Sequence, residues 1–187
     1  IPADPLPLPW QNVTVGTGAV IGSAHYANGA FTLWGSGVLG GTADQSQLAY
    51  QTLTADGEIV AKISKLDATG TGASVGVMVR DSLAGNSAYV FVGSDGAGTY
   101  RWSYRTTAGS TATQTIGSGG TPGSQWVKLN RSGNAFTVST SADGSNWTTL
   151  GTTSVTMPSN CYIGLSDSSG SASTTNTSQV SNVSVTP

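Results

Sequence analysis

Ala73–Asp81 reads ASVGVMVRD, and its alternation decides the fold. Val75, Val77 and Val79 share one face of an extended chain, and Gly76, Met78 and Arg80 share the other. Successive side chains of a strand point to opposite sides of a sheet, so this period of two describes a strand with one buried face. Immediately downstream, Ala88–Gly93 is an apolar run, and Asp95-Gly96 supplies the turn into Thr99–Arg105. There the alternation sets Tyr100, Trp102 and Tyr104 on one side and Arg101, Ser103 and Arg105 on the other. Together the three runs read as the middle of a sheet, with a packed back and a front that carries polar and aromatic groups.

The same signals recur outward in both directions. Trp10–Val15, Ile21–Tyr26, Ala30–Ser36, Gln47–Leu53 and Glu58–Leu66 read as strands upstream, with Asn28-Gly29 and Asp56-Gly57 as hairpin turns. In Glu58–Leu66 the buried stripe is Ile59, Ala61 and Ile63, and Lys62 points away. Downstream the runs are Ser110–Ile116, Trp126–Arg131, Ala135–Ser141, Asn146–Leu150, Val155–Met157, Tyr162–Ser166 and Gln179–Val185. Asp143-Gly144 makes a further hairpin. Asp67–Gly72 and Gly117–Gly123 read as loops, and Asp167–Asn176 as a ten-residue polar loop. The expectation is an all-β chain of about fourteen strands, because no window places apolar residues at helical spacing.

Composition narrows the class. The chain has 187 residues, enough for one domain with a core of its own. Residues 1–9, IPADPLPLP, read as polyproline-like linker, and residues 10–187 as a single domain. The linker at one end gives the expectation of one module of a longer protein, and the initial Ile that of a processed form or an excised module. Only 9% of residues are charged and the formal charge is −2, which argues against a nucleic-acid partner that needs a basic footprint. No apolar run approaches the ~20 residues of a spanning helix, so no membrane partner is expected either. The low charge and the wealth of Ser, Thr and Gly suit a secreted or cell-surface setting. Cys161, the one cysteine, alternates with Ile163 and Leu165 and reads as a small buried apolar residue.

Several pieces in this order resemble bacterial jelly-roll modules of the concanavalin A-like lectin/glucanase superfamily: GSAHYANGAFTLWGSG, YQTLTADGEIVAKI, ASVGVMVRDSL, WVKLNRSGNAFTVSTSADGSNWTTLG and CYIGLS. The resemblance spans nearly the whole chain after the proline segment. It implies a two-sheet antiparallel sandwich with one concave sheet, belonging to a non-catalytic appendage of a secreted multimodular protein. The implied partner is a polysaccharide or glycan, with tethering to a catalytic module in the parent chain. One departure stands out: Ser46 and Leu48 occupy the start of a strand where such modules carry a bulky aromatic.

A sugar shows apolar C–H faces rimmed by hydroxyls, so its site needs flat rings beside planar polar side chains. The candidate rings are Trp34, Tyr50, Tyr89, Trp102 and Tyr104. The candidate hydrogen-bonding groups are Asp44, Gln51, Arg80 and Arg105. Trp126 and Trp147 read as core. Arg80 is the sharpest of these, because three valines fill the opposite face and its guanidinium cannot enter the sandwich core unpaired. It is expected on the outer face, either at a binding groove or paired structurally with Asp44 or Asp81.

Catalytic signals are thin. A glycosidase needs two carboxylates about 5–9.5 Å apart, and the chain offers one glutamate, Glu58, with no E-x-D-x-x-E strand. His25 would act as a base only beside an orienting carboxylate. The chain is therefore expected not to be an enzyme, with a small jelly-roll glycosidase or lyase as the catalytic rival and a spacer domain as the structural one. No cofactor is expected. The oxygen-rich turns that begin at Asp95, Asp143 and Asp167 offer ligands for a structural calcium ion, and each is also explained as a hairpin turn.

Overall fold

A computed structural model of the chain describes residues 5–17, 19–67, 72–120 and 124–187, with the side chain of residue 118 also left aside. The first four residues of the expected linker and parts of the loops expected at 67–72 and 117–123 lie outside the described residues. Fourteen strands form two seven-stranded antiparallel sheets, and no helix occurs among the described residues. None of them, therefore, forms a helix long and apolar enough to cross a membrane.

The strands are β1 (Gln11–Val15), β2 (Ser23–Ala27), β3 (Ala30–Gly37), β4 (Ser46–Thr54), β5 (Gly57–Asp67), β6 (Ala73–Arg80) and β7 (Tyr89–Asp95). They continue as β8 (Thr99–Arg105), β9 (Thr113–Gly119), β10 (Gln125–Ser132), β11 (Ala135–Ser141), β12 (Thr148–Ser154), β13 (Asn160–Ser169) and β14 (Ser171–Thr186). The first sheet runs β1-β4-β13-β6-β7-β8-β9, and the second β12-β11-β10-β5-β14-β3-β2. The last two strands each enter the interior of a different sheet, so the sandwich closes only when the end of the chain arrives.

The valine parity holds. Val75, Val77 and Val79 are fully buried with Val90, Val92, Ile163 and Leu165 on the inner side of the first sheet. They meet Leu33, Ile59, Ile63, Val127, Leu129, Phe136 and Val138 from the second sheet. At ~25 cal/mol per Å², each such side chain contributes about 2 kcal/mol.

Two expectations about the strands are corrected. Residues 167–176 are not a loop: β13 runs on to Ser169, Gly170 turns the chain with φ 76°, and β14 begins at Ser171. Ser168, Ser169, Asp167 and Asn176 are buried here and hydrogen-bond within the structure, whereas Ser173, Thr174 and Thr175 are exposed. The Ser169 hydroxyl, for example, lies 2.7 Å from both the Ser171 and the Thr174 carbonyl oxygens. Only glycine fits the turn, because a Cβ on Gly170 would come within 2.8 Å of the Gly72 and Ala73 backbones. Val155–Met157 lies outside the strands, although Val155 and Met157 still pack into the core.

Candidate functional site

Strand register assigns every candidate side chain to a face. On the outer side of the first sheet, Arg80 stands between Tyr162 of β13 and Tyr89 of β7, and Arg105 of β8 stands beyond Tyr89. The neighbouring row carries Tyr50, Gly164, Met78, Phe91, Ser103 and Gln114. The next carries Leu48, Ser166, Gly76, Gly93, Arg101 and Ile116.

The centre of this face is closed. Val15, Leu39, Leu48, Tyr50, Met78, Tyr89 and Phe91 form a second buried apolar cluster, separate from the sandwich core. Arg80, Arg105 and Asp44 are fully buried beside it. Arg105 grips Asp44 bidentately, with Nη1 2.9 Å from Oδ2 and Nη2 2.8 Å from Oδ1. Its remaining donors go to the carbonyl oxygens of Gly40, Gly41, Ser87 and Ser110. Arg80 donates to the carbonyls of Ser82 (2.7 Å) and Ala84 (2.6 Å), and its Nη2 lies 3.6 Å from Asp44 Oδ2.

Two guanidinium groups thus share one carboxylate, and loop carbonyls solvate the surplus charge in place of water. Burial pushes the Asp44 carboxyl up, opposed by the hydrogen bond from Arg105 and the charges of Arg80 and Arg105. Burial likewise lowers Arg80, opposed by Asp44. The Tyr89 hydroxyl, 2.6 Å from Ser103 Oγ, is pushed up to about 12, chiefly by burial and next by the Asp44 charge.

The nine candidate residues therefore divide. Asp44, Tyr50, Arg80, Tyr89 and Arg105 do come together on one outer face, as a buried clasp that ties the segments around residues 40–44, 82–87 and 110 to the sheet. The structural pairing of Arg80 with Asp44 replaces the open groove. Trp102 and Tyr104 do not share that face: both pack against the sandwich core, with their rings 5.5 Å apart. A Cβ on Gly151 of β12 would run into the Trp102 ring, so this indole lies between the sheets. Gln51 has the same inward parity, across from Ile163. Trp34 belongs to the second sheet and faces outward, its ring 4.9 Å from that of His25.

Trp126 and Trp147 also depart from expectation, since neither is in the core. Trp126 alternates with the buried Gln125 and Val127 and so faces outward from the second sheet, against Gly144. Trp147 lies beneath Lys128, whose Nζ is 4.5 Å from the ring centroid.

One accessible cleft on the first sheet, of about 20 Å³, lies between β8, β9 and the segment after β3. Leu39, Ser74, Phe91, Arg101, Ser103, Gln114 and Ile116 are among the residues lining it. Arg101 approaches Asp95 through two donors at 3.3 Å, and Gln114 Nε2 donates to the Leu39 carbonyl at 3.2 Å. Ile116 is 66% exposed. None of the three was singled out from sequence. Arg101 alone was readable, as the residue that must face outward if Trp102 faces inward.

The oxygen-rich turns hold themselves together. Asp95 Oδ1 accepts from the backbone N–H groups of Ala97 and Thr99, and Asp143 Oδ1 from those of Ser145 and Asn146. Asp167 is not in a turn at all. It lies buried between the sheets on β13, with Oδ1 accepting from Ser178 Oγ at 2.6 Å and Asn176 Nδ2 at 3.1 Å. Among the described residues, no three His, Cys, Asp or Glu side chains gather to hold a metal ion.

No protein-family model and no curated protein matches the chain. Solved structures do match over most of it. A functionally unknown protein from Saccharomyces cerevisiae superposes with a TM-score of 0.71 at 13% identity, covering 88% of this chain and 91% of that one. The carbohydrate-binding module CBM66 from Bacillus subtilis gives 0.59 at 13% identity, covering 95% of each chain. A prokaryotic β-1,3-1,4-glucanase (lichenase) derived from a mouse hindgut metagenome gives 0.59 at 11%, covering 94% of this chain and 91% of that one. The chain has the concanavalin A-like jelly-roll fold. At such identities the likeness defines the fold alone, and binding modules and enzymes both share it.

Proposed function

We propose that this chain is a non-catalytic glycan-binding domain that takes its ligand at the β8–β9 end of the first sheet's outer face. The observation that carries this reading is the cleft itself. There Arg101, held by Asp95, and Gln114 bring planar hydrogen-bonding groups beside the exposed apolar surface of Ile116. Such a pairing suits the hydroxyl rim and C–H face of a sugar. The fold's occurrence in a carbohydrate-binding module supports the class.

Room for about one water-sized group, with a few hydrogen bonds of about 1 kcal/mol each, fits a Kd on the order of 1 mM. A domain this weak would act by holding a tethered catalytic module near its polysaccharide, in a secreted or cell-surface protein. The non-catalytic reading draws support from Asp44 and Asp167, two carboxylates that are fully buried and engaged inside the fold.

Affinity electrophoresis on a panel of neutral polysaccharides tests the reading. Retardation that Arg101→Ala and Gln114→Ala abolish supports it. Retardation that neither variant changes removes this cleft. The closed centre of the same face favours a second reading, a spacer domain without a glycan ligand, and absence of retardation on every gel would select it.

A further inference from the structure

The outer face of the second sheet carries a combination absent from the cleft just described. The chain has seven Lys and Arg residues. Arg80 and Arg105 are engaged by Asp44, Arg101 by Asp95 and Lys65 by Asp67. Arg131 is buried and donates to the carbonyls of Gly133, Met157 and Pro158. That leaves Lys62 and Lys128, which enter no ion pair with a carboxylate among the described residues.

Both sit on this face, and each adjoins a tryptophan. Lys62 stands directly across from Trp126, and Lys128 lies over the Trp147 ring. All four side chains are partly exposed. The Trp126 indole packs against the hairpin that carries Gly144. Gly144 backs the Trp126 ring so closely that a Cβ there would come within 2.8 Å of it. The Gly144 hairpin is itself fixed by Asp143, which accepts hydrogen bonds from Ser145, Asn146 and Ser141. Ser139 and Ser181 occupy the neighbouring register positions, across from Lys128 and Lys62. Glu58 lies one row beyond Lys128, opposite Asn130, and bounds the patch at that end.

We infer that Trp126, Trp147, Lys62 and Lys128 form a second binding platform, selective for an acidic polysaccharide of the uronic-acid type. Indole faces cover the apolar side of pyranose rings. Ammonium groups left without carboxylate partners complement carboxylates spaced along an extended anionic chain. A neutral glycan would use the rings and leave the charges idle, so charge complementarity is what selects the occupant. This platform lies on the opposite side of the sandwich from the Arg101 cleft and does not depend on it.

The test is affinity electrophoresis of the whole chain in polygalacturonate gels, with fully methyl-esterified polygalacturonate as the uncharged comparison. Retardation is expected in the acidic gel, falling about tenfold when salt rises from 0.05 to 0.5 M as screening shortens the reach of each charge. Trp147→Ala is expected to abolish it. Lys62→Gln with Lys128→Gln is expected to abolish the salt dependence and the preference for the acidic gel. Circular dichroism and thermal melts check that both variants fold. The lysine pair, placed on an outer face, also guards against a Trp147 variant that loses its hairpin.

Equal retardation in both gels, or retardation unchanged in the folded lysine double variant, overturns the inference. Arg101→Ala separates the two sites. Loss of acidic-gel binding in that variant, with full binding retained in Trp147→Ala, would assign the acidic glycan to the first-sheet cleft and refute the platform.

Discussion

The two outer faces of this sandwich treat charge in opposite ways. On the first sheet, two arginines and an aspartate are fully withdrawn from water, and loop carbonyls close over them. On the second, lysines and tryptophans stand partly open on a face of Ser, Thr and Asn. Arginine suits the closed face, because its planar fork satisfies several acceptors at once and it stays charged when buried. Lysine suits the open one, with its stem on a ring and its ammonium in water. A guanidinium on the outside of a sheet is not thereby on the outside of the protein.

The largest effect should come from opening the closed face. Asp44→Ala leaves two buried guanidinium groups facing each other, and removing one partner of such a network destabilises by about 3–5 kcal/mol. Urea titration should show that loss, and the variant is expected to be marginal or unfolded near neutral pH. A loss below about 1 kcal/mol, typical of exposed pairs, would mean that the clasp is open to water and that the contrast between the faces is false. Trp102→Ala is expected next, at about 3 kcal/mol, because it opens a space between the sheets where the indole is partly buried. On the second face, Trp34→Ala should change stability by less than either, although it removes the same side chain. Near-equal losses would put Trp34 in the core with Trp102.

The buried carboxyl of Asp167 belongs to neither outer face. Burial raises Asp167 from its ordinary value to about 7, against hydrogen bonds from Ser178 and Asn176. Its folded value therefore lies above its unfolded one, and the folded state binds the proton more tightly. The stability this confers is complete below about pH 4 and is lost as pH rises towards and through 7. A shift of this size is worth on the order of a few kcal/mol. Asp167 Oδ2 and Asn176 Oδ1 are buried without hydrogen-bond partners, which accords with a group more at ease protonated. Asp167→Asn should flatten the stability profile between pH 4 and 7. A profile that keeps its slope in that variant would place the titrating group elsewhere.

How much of this was legible follows from what parity carries. The valines of ASVGVMVRD placed both the core and Arg80, because one residue of shift would reverse every side chain in the strand. The same rule, applied through TYRWSYR, puts Trp102 and Arg105 on opposite faces, so a single site containing both conflicts with the alternation itself. Parity is silent on what loops cover. That Gly40, Gly41, Ala84 and Ser87 would turn their carbonyls onto the arginines depends on contacts up to 65 residues apart, and no local pattern announces it. Trp126 was misjudged for another reason: WVKL looks apolar as a run, yet its alternation with Val127 and Leu129 points it outward. The polar stretch at 167–176 escaped because Ser, Asp and Asn side chains that are buried and hydrogen-bond to one another on β13 and β14 read in sequence as a loop.

The smallest expected effect lies on the open side, and it carries the opposite sign in pH. The Asp143 carboxylate is held well below the usual range, first by the backbone N–H of Asn146, next by that of Ser145, and then by the Asn146 and Ser141 side chains. A depressed folded value contributes stability above the unfolded pKa, near 4, and surrenders it as pH falls further. Because this group is fully exposed, its loss should loosen the hairpin under Trp126 without unfolding the sandwich. Amide exchange at Ser145 and Asn146 should therefore accelerate relative to other exposed amides in strong acid, while the core strands stay protected. In Asp143→Ala the same two amides should exchange fast at neutral pH as well. The two acidic groups then mark the two environments: Asp167 sets a global slope between pH 4 and 7, and Asp143 a local one below 4. Acid that unfolded the whole chain through Asp143, or left these two amides protected, would erase the distinction between a buried carboxyl that resists ionisation and a surface one that depends on it.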